Sequence, residues 1–244
     1  MSRYFYDFHI HSCLSPCGDD DMTPANIVGM STLAGLNIVA LTDHNTVKNC
    51  PAFFKVAKQH GIIAVAGMEL TTSEDIHVVC LFETLEDALG FGDVVDNHRN
   101  LIKNKPKIFG RQQILDEEDN LLDEEEYLLI NATNISVDEV QQLVASHRGV
   151  CYPAHIDREA NGIISILGDF PQDYSFNCYE IYDPDLATVY EKRYNLQSKL
   201  RLVGSDAHHL WDIRDAKDFI ELDDEPYSSD LVRRRLFEYL RRNI

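Results

Sequence analysis

Eight side chains able to hold a metal ion recur along this sequence, and they cluster at the ends of short apolar runs. His9 and His11 stand at i and i+2 where the run Tyr4–Ile10 finishes. Alternate residues of a strand point to one face, so both imidazoles can reach one ion. His44 follows Asn37–Leu41 within Thr42-Asp43-His44-Asn45, and Glu69 follows Ile62–Ala66 within Gly67-Met68-Glu69-Leu70. His155 ends Gly149–Ala154, while Asp206 and His208 follow Arg201–Gly204 and repeat the two-residue spacing. His77 is the exception by position, because it opens the run Ile76–Phe82. A lone histidine on a strand is usually only a hydrogen-bonded core residue. His60, His98 and His147 lie on helical stretches and are assigned nothing. Two pairs at this spacing, joined by His44, Glu69 and His155, make coincidence a poor account.

The donor mix suits Zn²⁺, Mn²⁺ or Fe²⁺ and fits Ca²⁺ or Mg²⁺ poorly, since those prefer all-oxygen cages. A carboxylate such as Glu69 can bridge two ions, and water held between them ionises near neutral pH. A metal-bridging hydroxide could then attack an electrophilic centre, a phosphoryl group among them, while the ions neutralise the growing charge, with no protein nucleophile. Asp206 would be catalytic with Glu69 in this scheme. Arg158, three residues after His155, can clamp a phosphate bidentately. Its bland alternative is a surface pair with Asp157 or Glu159. His209 is a candidate substrate contact and general acid for the leaving oxygen, and Arg111 and Arg214 are candidate phosphate contacts. Asp7 and Asp43 are expected to accept N–H bonds that orient the ligating imidazoles.

Helical stretches separate the apolar runs: Pro24–Ala34, Pro51–His60, Glu86–Lys103, Val137–Arg148 and Pro184–Lys199. Thr23-Pro24 reads as an N-cap followed by proline at the first helical position. Gly35 and Gly61 sit where left-handed C-cap residues belong. Strands alternating with helices predict parallel βαβ units, and seven such strands, with Asn177–Tyr182 as the sixth, can close into a barrel. An open doubly wound sheet is the structural alternative. Phe219–Leu222 reads as one more short strand before a terminal helix, Asp230–Arg241. Residues 105–135 break the rhythm with the acidic run DEEDNLLDEEE. This reads as a solvated insertion or helical hairpin, or more sharply as a lid over the site. The 244 residues are therefore taken as one domain, 1–244, with that insertion.

The net charge of −19 disfavours tight binding to phosphate backbones, so a small substrate is expected and no nucleic-acid polymer. No apolar stretch is long enough to span a bilayer and no signal peptide precedes the first strand, so no membrane partner is expected. Six cysteines without a CxxC pair point to free thiols in a cytoplasmic protein.

In order, Asp7-x-His9-x-His11-Ser12, Thr42-Asp43-His44-Asn45, Gly67-x-Glu69, Pro153-Ala154-His155-x-x-Arg158 and Gly204-Ser205-Asp206-Ala207-His208 resemble the PHP family (polymerase and histidinol phosphatase). More narrowly, Ser15-Pro16-Cys17-Gly18-Asp19, Thr23-Pro24 and Thr72-x-Glu74-x-x-His77 resemble its stand-alone bacterial metal-dependent phosphoesterases. The resemblance implies a distorted seven-stranded (β/α)7 barrel of the PHP type, with a trinuclear site at the C-terminal strand ends and two to three divalent transition-metal ions. It implies one ion on His9, His11, Glu69 and Asp206, and a second on Glu69, His77 and His155. A third would take His44, His208 and a residue near Asp19. Counting back from Thr23-Pro24 selects Asp19; counting forward from His9 selects Cys17; Asp20 and Asp21 are further rivals. The implied activity is hydrolysis of a small phosphorylated metabolite, such as a nucleotide or nucleoside bisphosphate. Histidinol-phosphate phosphatase, protein-tyrosine phosphatase, a non-catalytic metal-binding module and amidohydrolase-like C–N cleavage are the alternatives.

Overall fold

The computed structural model describes residues 1–242. In chain order its elements are β1 (Ser2–Asp7), α1 (Pro24–Leu33), β2 (Ile38–Leu41), α2 (Cys50–His60), β3 (Ile63–Thr71), β4 (His77–Phe82), α3 (Leu85–Asp96), α4 (Pro106–Phe109), β5 (Gln113–Leu115) and β6 (Leu121–Glu124). There follow α5 (Val137–Ser146), β7 (Gly149–Pro153), α6 (Ile163–Leu167), β8 (Cys178–Ile181), α7 (Ala187–Arg193), β9 (Leu200–Val203), β10 (Phe219–Leu222) and α8 (Ser229–Leu240). The helix signals act as read. Thr23 Oγ1 accepts the Asn26 N–H, Pro24 opens α1, and Gly61 closes α2 at φ 73°.

Six strands form one curled sheet in the order β10-β1-β2-β3-β4-β7. β1, β2 and β3 run parallel, whereas β4 is antiparallel to both its neighbours and β10 is antiparallel to β1. β8 and β9 make a separate parallel pair. Single contacts draw that pair into the gap between β7 and β1: Ile10 bridges Ala207, and the Ile156 N–H donates to the Glu180 carbonyl at 3.0 Å. The seven-stranded (β/α)7 ladder is thus not continuous; a curled half-barrel stands with a two-stranded insert. The β3–β4 turn explains why. Only five residues part these strands, too few for the dozen that a parallel crossover needs. The reversal also explains His77, which opens β4 beside the end of β3, paired with Thr71.

Alternation along the strands divides two cores. Ile38, Ala40, Ile63, Val65, Val79, Leu81 and Tyr152 share one core on one face of the sheet. There α8 adds Val232, Leu236, Phe237 and Leu240. The intervening Val39, Leu41, Ala64, Ala66, Val78 and Cys80 pack with Ile27, Phe53, Phe91 and Val140 of the surrounding helices. A buried phenylalanine such as Phe237 contributes roughly 3–5 kcal/mol by the usual cost of truncation to alanine. Continuing inward from Ile63 and Val65, the same face of β3 carries Gly67 and then Glu69. The residue at the functional end is therefore fixed by the same period that builds the core.

Several predicted bounds shift. β1 ends at Asp7, so His9 and His11 lie just past it. The helix predicted to reach Lys103 stops at Asp96, and Arg99 leaves it to pair with Asp96 and Glu125. Pro184–Lys199 contains one short turn followed by α7. The insertion holds the one-turn helix α4 and a β-hairpin, β5–β6, instead of a helical hairpin. Its return arm is anchored: Asn45 donates through Nδ2 to the Leu129 and Asn131 carbonyls, and Thr133 binds the Thr71 carbonyl. Among the described residues, no helix is long and apolar enough to cross a membrane.

Candidate metal centre

At the C-terminal ends of β1, β2 and β3 the chain converges on Glu69, which is buried. Five imidazole nitrogens approach its two oxygens: His77 Nδ1 at 2.8 Å, His44 Nδ1 and His155 Nε2 at 3.1 Å, His9 Nε2 at 3.2 Å and His11 Nε2 at 3.3 Å. Asp206 Oδ1 lies 3.4 Å from His9 Nε2 and 3.2 Å from His11 Nε2. The backbone holds these groups with some strain, since Asn45, His155 and Asp206 all have positive φ.

The proton inventory matters more than the crowding. Ser15 Oγ donates to Asp43 and accepts the His44 backbone N–H, so the 3.0 Å contact with His11 Nδ1 needs a proton on that nitrogen. His9 Nδ1 donates to Glu180 at 2.8 Å, and His208 Nδ1 donates to the Asp206 carbonyl at 2.8 Å. The Nε2 lone pairs of His9 and His11 then face each other at 3.2 Å. Two lone pairs at that range repel unless a cation sits between them. For tetrahedral Zn–N bonds of about 2.0–2.1 Å, neighbouring donors stand about 3.3 Å apart. The His9–His11 separation of 3.2 Å and the distances of 3.4 and 3.2 Å from these two nitrogens to Asp206 Oδ1 are on that scale, and each nitrogen has one Glu69 oxygen at 3.2–3.3 Å. His44 Nδ1, His77 Nδ1 and Asp206 Oδ1 meet only other members of the cluster, and His155 Nδ1 is buried without a hydrogen-bond partner. The residues present fit a set of divalent cations.

Charge follows the same logic. Burial alone would push the Glu69 carboxyl up, but His77, His9 and His44 outweigh it and hold it well below the usual carboxylate range. Asp206 is likewise held low, by His9 and His11 against burial. Burial disfavours charge on His11, yet its bonds to Asp206 and Glu69 raise it to about 9. His9 rises well above its ordinary value against burial, through Glu180 and Glu69. His44 is pushed well below its ordinary value, and His208 to about 4, by burial and the neighbouring His11. Without a cation the cluster needs protons on His9 and His11; a bound metal replaces them.

Three groups of donor atoms lie within 4.8 Å of one another: His9, His11, Glu69 and Asp206; His44, Glu69 and His77; and His11, His44 and His208. The first is the predicted set. In the second, His44 takes the place expected for His155, which still contacts Glu69 Oε1. In the third, Asp19 is missing. One Asp19 oxygen accepts the Asp21 N–H at 2.9 Å and the other faces His209 Nδ1 at 3.4 Å. Asp20 is bound by Gln113, and Asp21 is exposed. Of the four rivals only Cys17 lines the cavity, with His44, His77, His155, Arg158 and His208.

Arg158 is neither a partner of Asp157 nor of Glu159. It pairs with Asp206, and its guanidinium carbon sits over Tyr182, 3.7 Å from the ring centroid. Asp157 instead accepts the Tyr182 and Asp183 N–H groups, each at 2.8 Å. Arg214 covers Tyr182 at 4.8 Å. Arg111 is on the hairpin, paired with Glu124, away from the cavity. His209 is on the rim rather than in the cavity, stacked at 4.7 Å and 5° on Trp211.

Asp7 and Asp43 do not accept imidazole protons directly. Asp7 Oδ1 takes the backbone N–H groups of His9 and Ser205, and burial raises its carboxyl to about 6. Asp43 anchors Ser12 and Ser15, and Ser15 in turn orients His11. Glu180 is the carboxylate that holds an imidazole, and sequence reading missed it. It accepts from His9 Nδ1 and from the His155 backbone N–H at 3.0 Å. A Cβ on Gly204 would meet Glu180 Oε2 at 2.2 Å, so only glycine fits there. The available signal was a single carboxylate inside the apolar strand Cys178–Ile181, where an unpaired charge is not tolerated.

A family model for the PHP domain matches residues 7–173, more than half of the sequence, and the chain belongs to the PHP-domain family. It is 34% identical over 76 residues to an uncharacterised protein of Methanocaldococcus jannaschii, covering 28% of this chain and 44% of that one. It is also 34% identical over 79 residues to a 5'-3' exoribonuclease of Haemophilus influenzae, covering 31% of this chain and 28% of that one. The matched segments thus span less than half of either curated relative. Among solved structures, a lesion-specific endonuclease from Pyrococcus furiosus superposes with a TM-score of 0.63 at 18% identity, over 96% of this chain and 55% of that one. A protein assigned as a metal-dependent phosphoesterase from Bifidobacterium adolescentis gives 0.55 at 17%, over 95% of both chains. These likenesses confirm the fold.

Proposed function

We propose that this chain is a metal-dependent phosphoesterase that hydrolyses a small nucleotide-like phosphate ester. The observation that carries the reading is the cage of 3.2–3.4 Å donor separations around Glu69, opening on a cavity of about 200 Å³ that Arg158 also lines. His9, His11, Glu69 and Asp206 would hold one ion, and Glu69, His77 and His44 or His155 a second. Once bound, such ions supply an acidified water and neutralise charge on a phosphoryl oxygen.

The chain's own residues do the rest. Arg158, held over Tyr182 and swinging off Asp206, offers a planar fork to a phosphate. Glu180 fixes His9 in one tautomer and keeps its Nε2 free. Six free cysteines fit a cytoplasmic setting.

The substrate reading rests on Trp211. It is 75% exposed and stacked on His209, on the short turn that follows the site residue His208. An aromatic plate at the rim of a phosphate site suits a nucleobase. His209 serves there as a substrate contact more readily than as a general acid. The endonuclease and exoribonuclease named above act on nucleic acid by name, which weakens the expectation of no polymer. The charge of −19 still favours a mononucleotide or a short end over a long duplex.

The test is turnover of a panel of nucleotides, sugar phosphates and histidinol phosphate with Mn²⁺. Nucleotides should be the best substrates, and Glu69→Gln should be inactive. Trp211 is the only tryptophan, so its fluorescence should be quenched by a nucleotide and not by ribose 5-phosphate. A sugar phosphate or histidinol phosphate turned over faster, with no quenching, would remove the nucleobase. No turnover of any phosphate ester by metal-loaded protein would remove the phosphoesterase.

A further inference from the structure

We infer that the inserted segment is the contact between two copies of this chain, related by a two-fold axis that lays a basic arm of each on an acidic arm of the other.

Seventeen large apolar side chains are exposed among the described residues, and seven of them fall between 101 and 130, about an eighth of the chain. Exposed apolar residues scattered singly are ordinary, whereas a cluster marks an interaction surface. This one is fixed in place. Asn49 accepts the Leu115 N–H and donates to the Gln113 carbonyl, each at 3.0 Å. The segment also has two arms held side by side: the Asn104 N–H donates to the Glu126 carbonyl and the Leu128 N–H to the Ile102 carbonyl, each at 2.8 Å.

Charge is divided between the arms. Residues 99–111 hold Arg99, Lys103, Lys105, Lys107 and Arg111 and no acid, whereas residues 116–126 hold eight acids and no cation. Much of this is spent within one copy. Arg99, Lys103 and Arg111 pair with Glu125, Glu126 and Glu124, and Glu117 pairs with Lys55. Asp116 and Asp119 accept hydrogen bonds from Asn120 and Thr23. Lys105 and Lys107 on one arm, and Glu118 and Asp123 on the other, are exposed and in no ion pair among the described residues.

That remainder of two cations and two acids selects the partner. A partner surface of one sign would set like charge against one of the arms, which is costly. A two-fold interface brings the same patch from both sides, so that residue i meets j and j meets i. The lysines of each copy then meet the acids of the other. Ile108 and Phe109, beside those lysines, and Leu121 and Leu122, between those acids, lose water in the same step. The chain's charge of −19 opposes the approach of two copies, but at physiological salt it is screened beyond about 8 Å, so the local match decides.

The experiment is light scattering and sedimentation velocity on the full chain at about 100 µM in about 0.15 M NaCl. Wild-type protein should run at twice the chain mass, a readout that needs no variant to fold. Ile108→Asp should run as a monomer. So should the pair Lys105→Glu with Lys107→Glu, and the pair Glu118→Lys with Asp123→Lys, because one sets acid on acid and the other cation on cation. Mixed together, the two reversed chains should form a dimer holding one copy of each, within about tenfold of wild-type affinity. Wild-type protein that is monomeric at this concentration overturns the inference. A dimer that survives Ile108→Asp and both reversals overturns it too, as do reversed chains that stay monomeric when mixed while melting like wild type.

Discussion

The β5–β6 hairpin and the Glu69 cluster are both dense in charge, and they differ in whether that charge is complete. On and around the hairpin four glutamates have cation partners within the fold: Glu117 with Lys55, Glu124 with Arg111, Glu126 with Lys103, and Glu125 with both Lys48 and Arg99. In the cluster, five imidazoles crowd one carboxylate, the Nε2 atoms of His9 and His11 face each other at 3.2 Å, and His155 Nδ1 is buried without a hydrogen-bond partner. The first region is satisfied as it stands. The second is completed only when protons or cations enter, and an arrangement of buried polar groups that the fold maintains but cannot itself complete is the mark of a binding centre.

Perturbing the two regions should therefore give unequal results. Glu69→Gln removes the carboxylate that all five imidazoles share. It should lower kcat/KM by at least about a thousandfold, about 4 kcal/mol, the scale of stripping one partner from a buried charge set. His44→Ala should leave more activity, because other donors remain around Glu69. Activity and metal content of the two variants under saturating Mn²⁺ compare them, and equal residues of activity would show that Glu69 is not the hub.

Glu180→Ala releases the His9 tautomer without removing a metal donor. It should weaken metal affinity by about 10- to 100-fold, as loss of an outer partner does. Glu180→Gln should recover most of this, because an amide oxygen still accepts from His9 Nδ1–H. Metal-competition titrations decide, and equal affinities in both variants would reduce Glu180 to packing.

Arg158→Ala should cost roughly 1.5–3 kcal/mol in transition-state binding, the scale of a hydrogen bond to a charged group. That is about 10- to 100-fold in kcat/KM with metal content intact. Lysine should restore only part, since an ammonium lacks the planar fork. Loss of metal from Arg158→Ala would instead make the pair with Asp206 structural.

The smallest effect belongs to the hairpin. Glu117→Gln breaks an exposed pair with Lys55 and should leave both Tm and kcat/KM unchanged. A drop in kcat/KM alone would promote the hairpin to a working lid.

Most of the cluster was legible because its donors follow apolar runs, and chain order alone brings strand ends together. Direction was not. Hydrophobic period is the same for a strand running either way, and ending the third run at Ala66 hid the short turn from Thr71 to His77 that forces β4 to reverse. Glu180 was hidden for another reason: it carries no ligand spacing, only its misfit in an apolar strand. Counting along the chain could not choose between Cys17 and Asp19, because the tight turn at Gly18 breaks any fixed spacing, and neither joins a group of donor atoms. Helix ends failed where tertiary pairs won, as at Arg99, which gives up helix for Glu125.

The central claim is that the Glu69 cluster is a multinuclear metal centre. Elemental analysis of active protein purified without chelator tests it most directly. Two to three transition-metal ions per chain are expected, falling with activity in Glu69→Gln; fully active protein carrying one ion or none would contradict it.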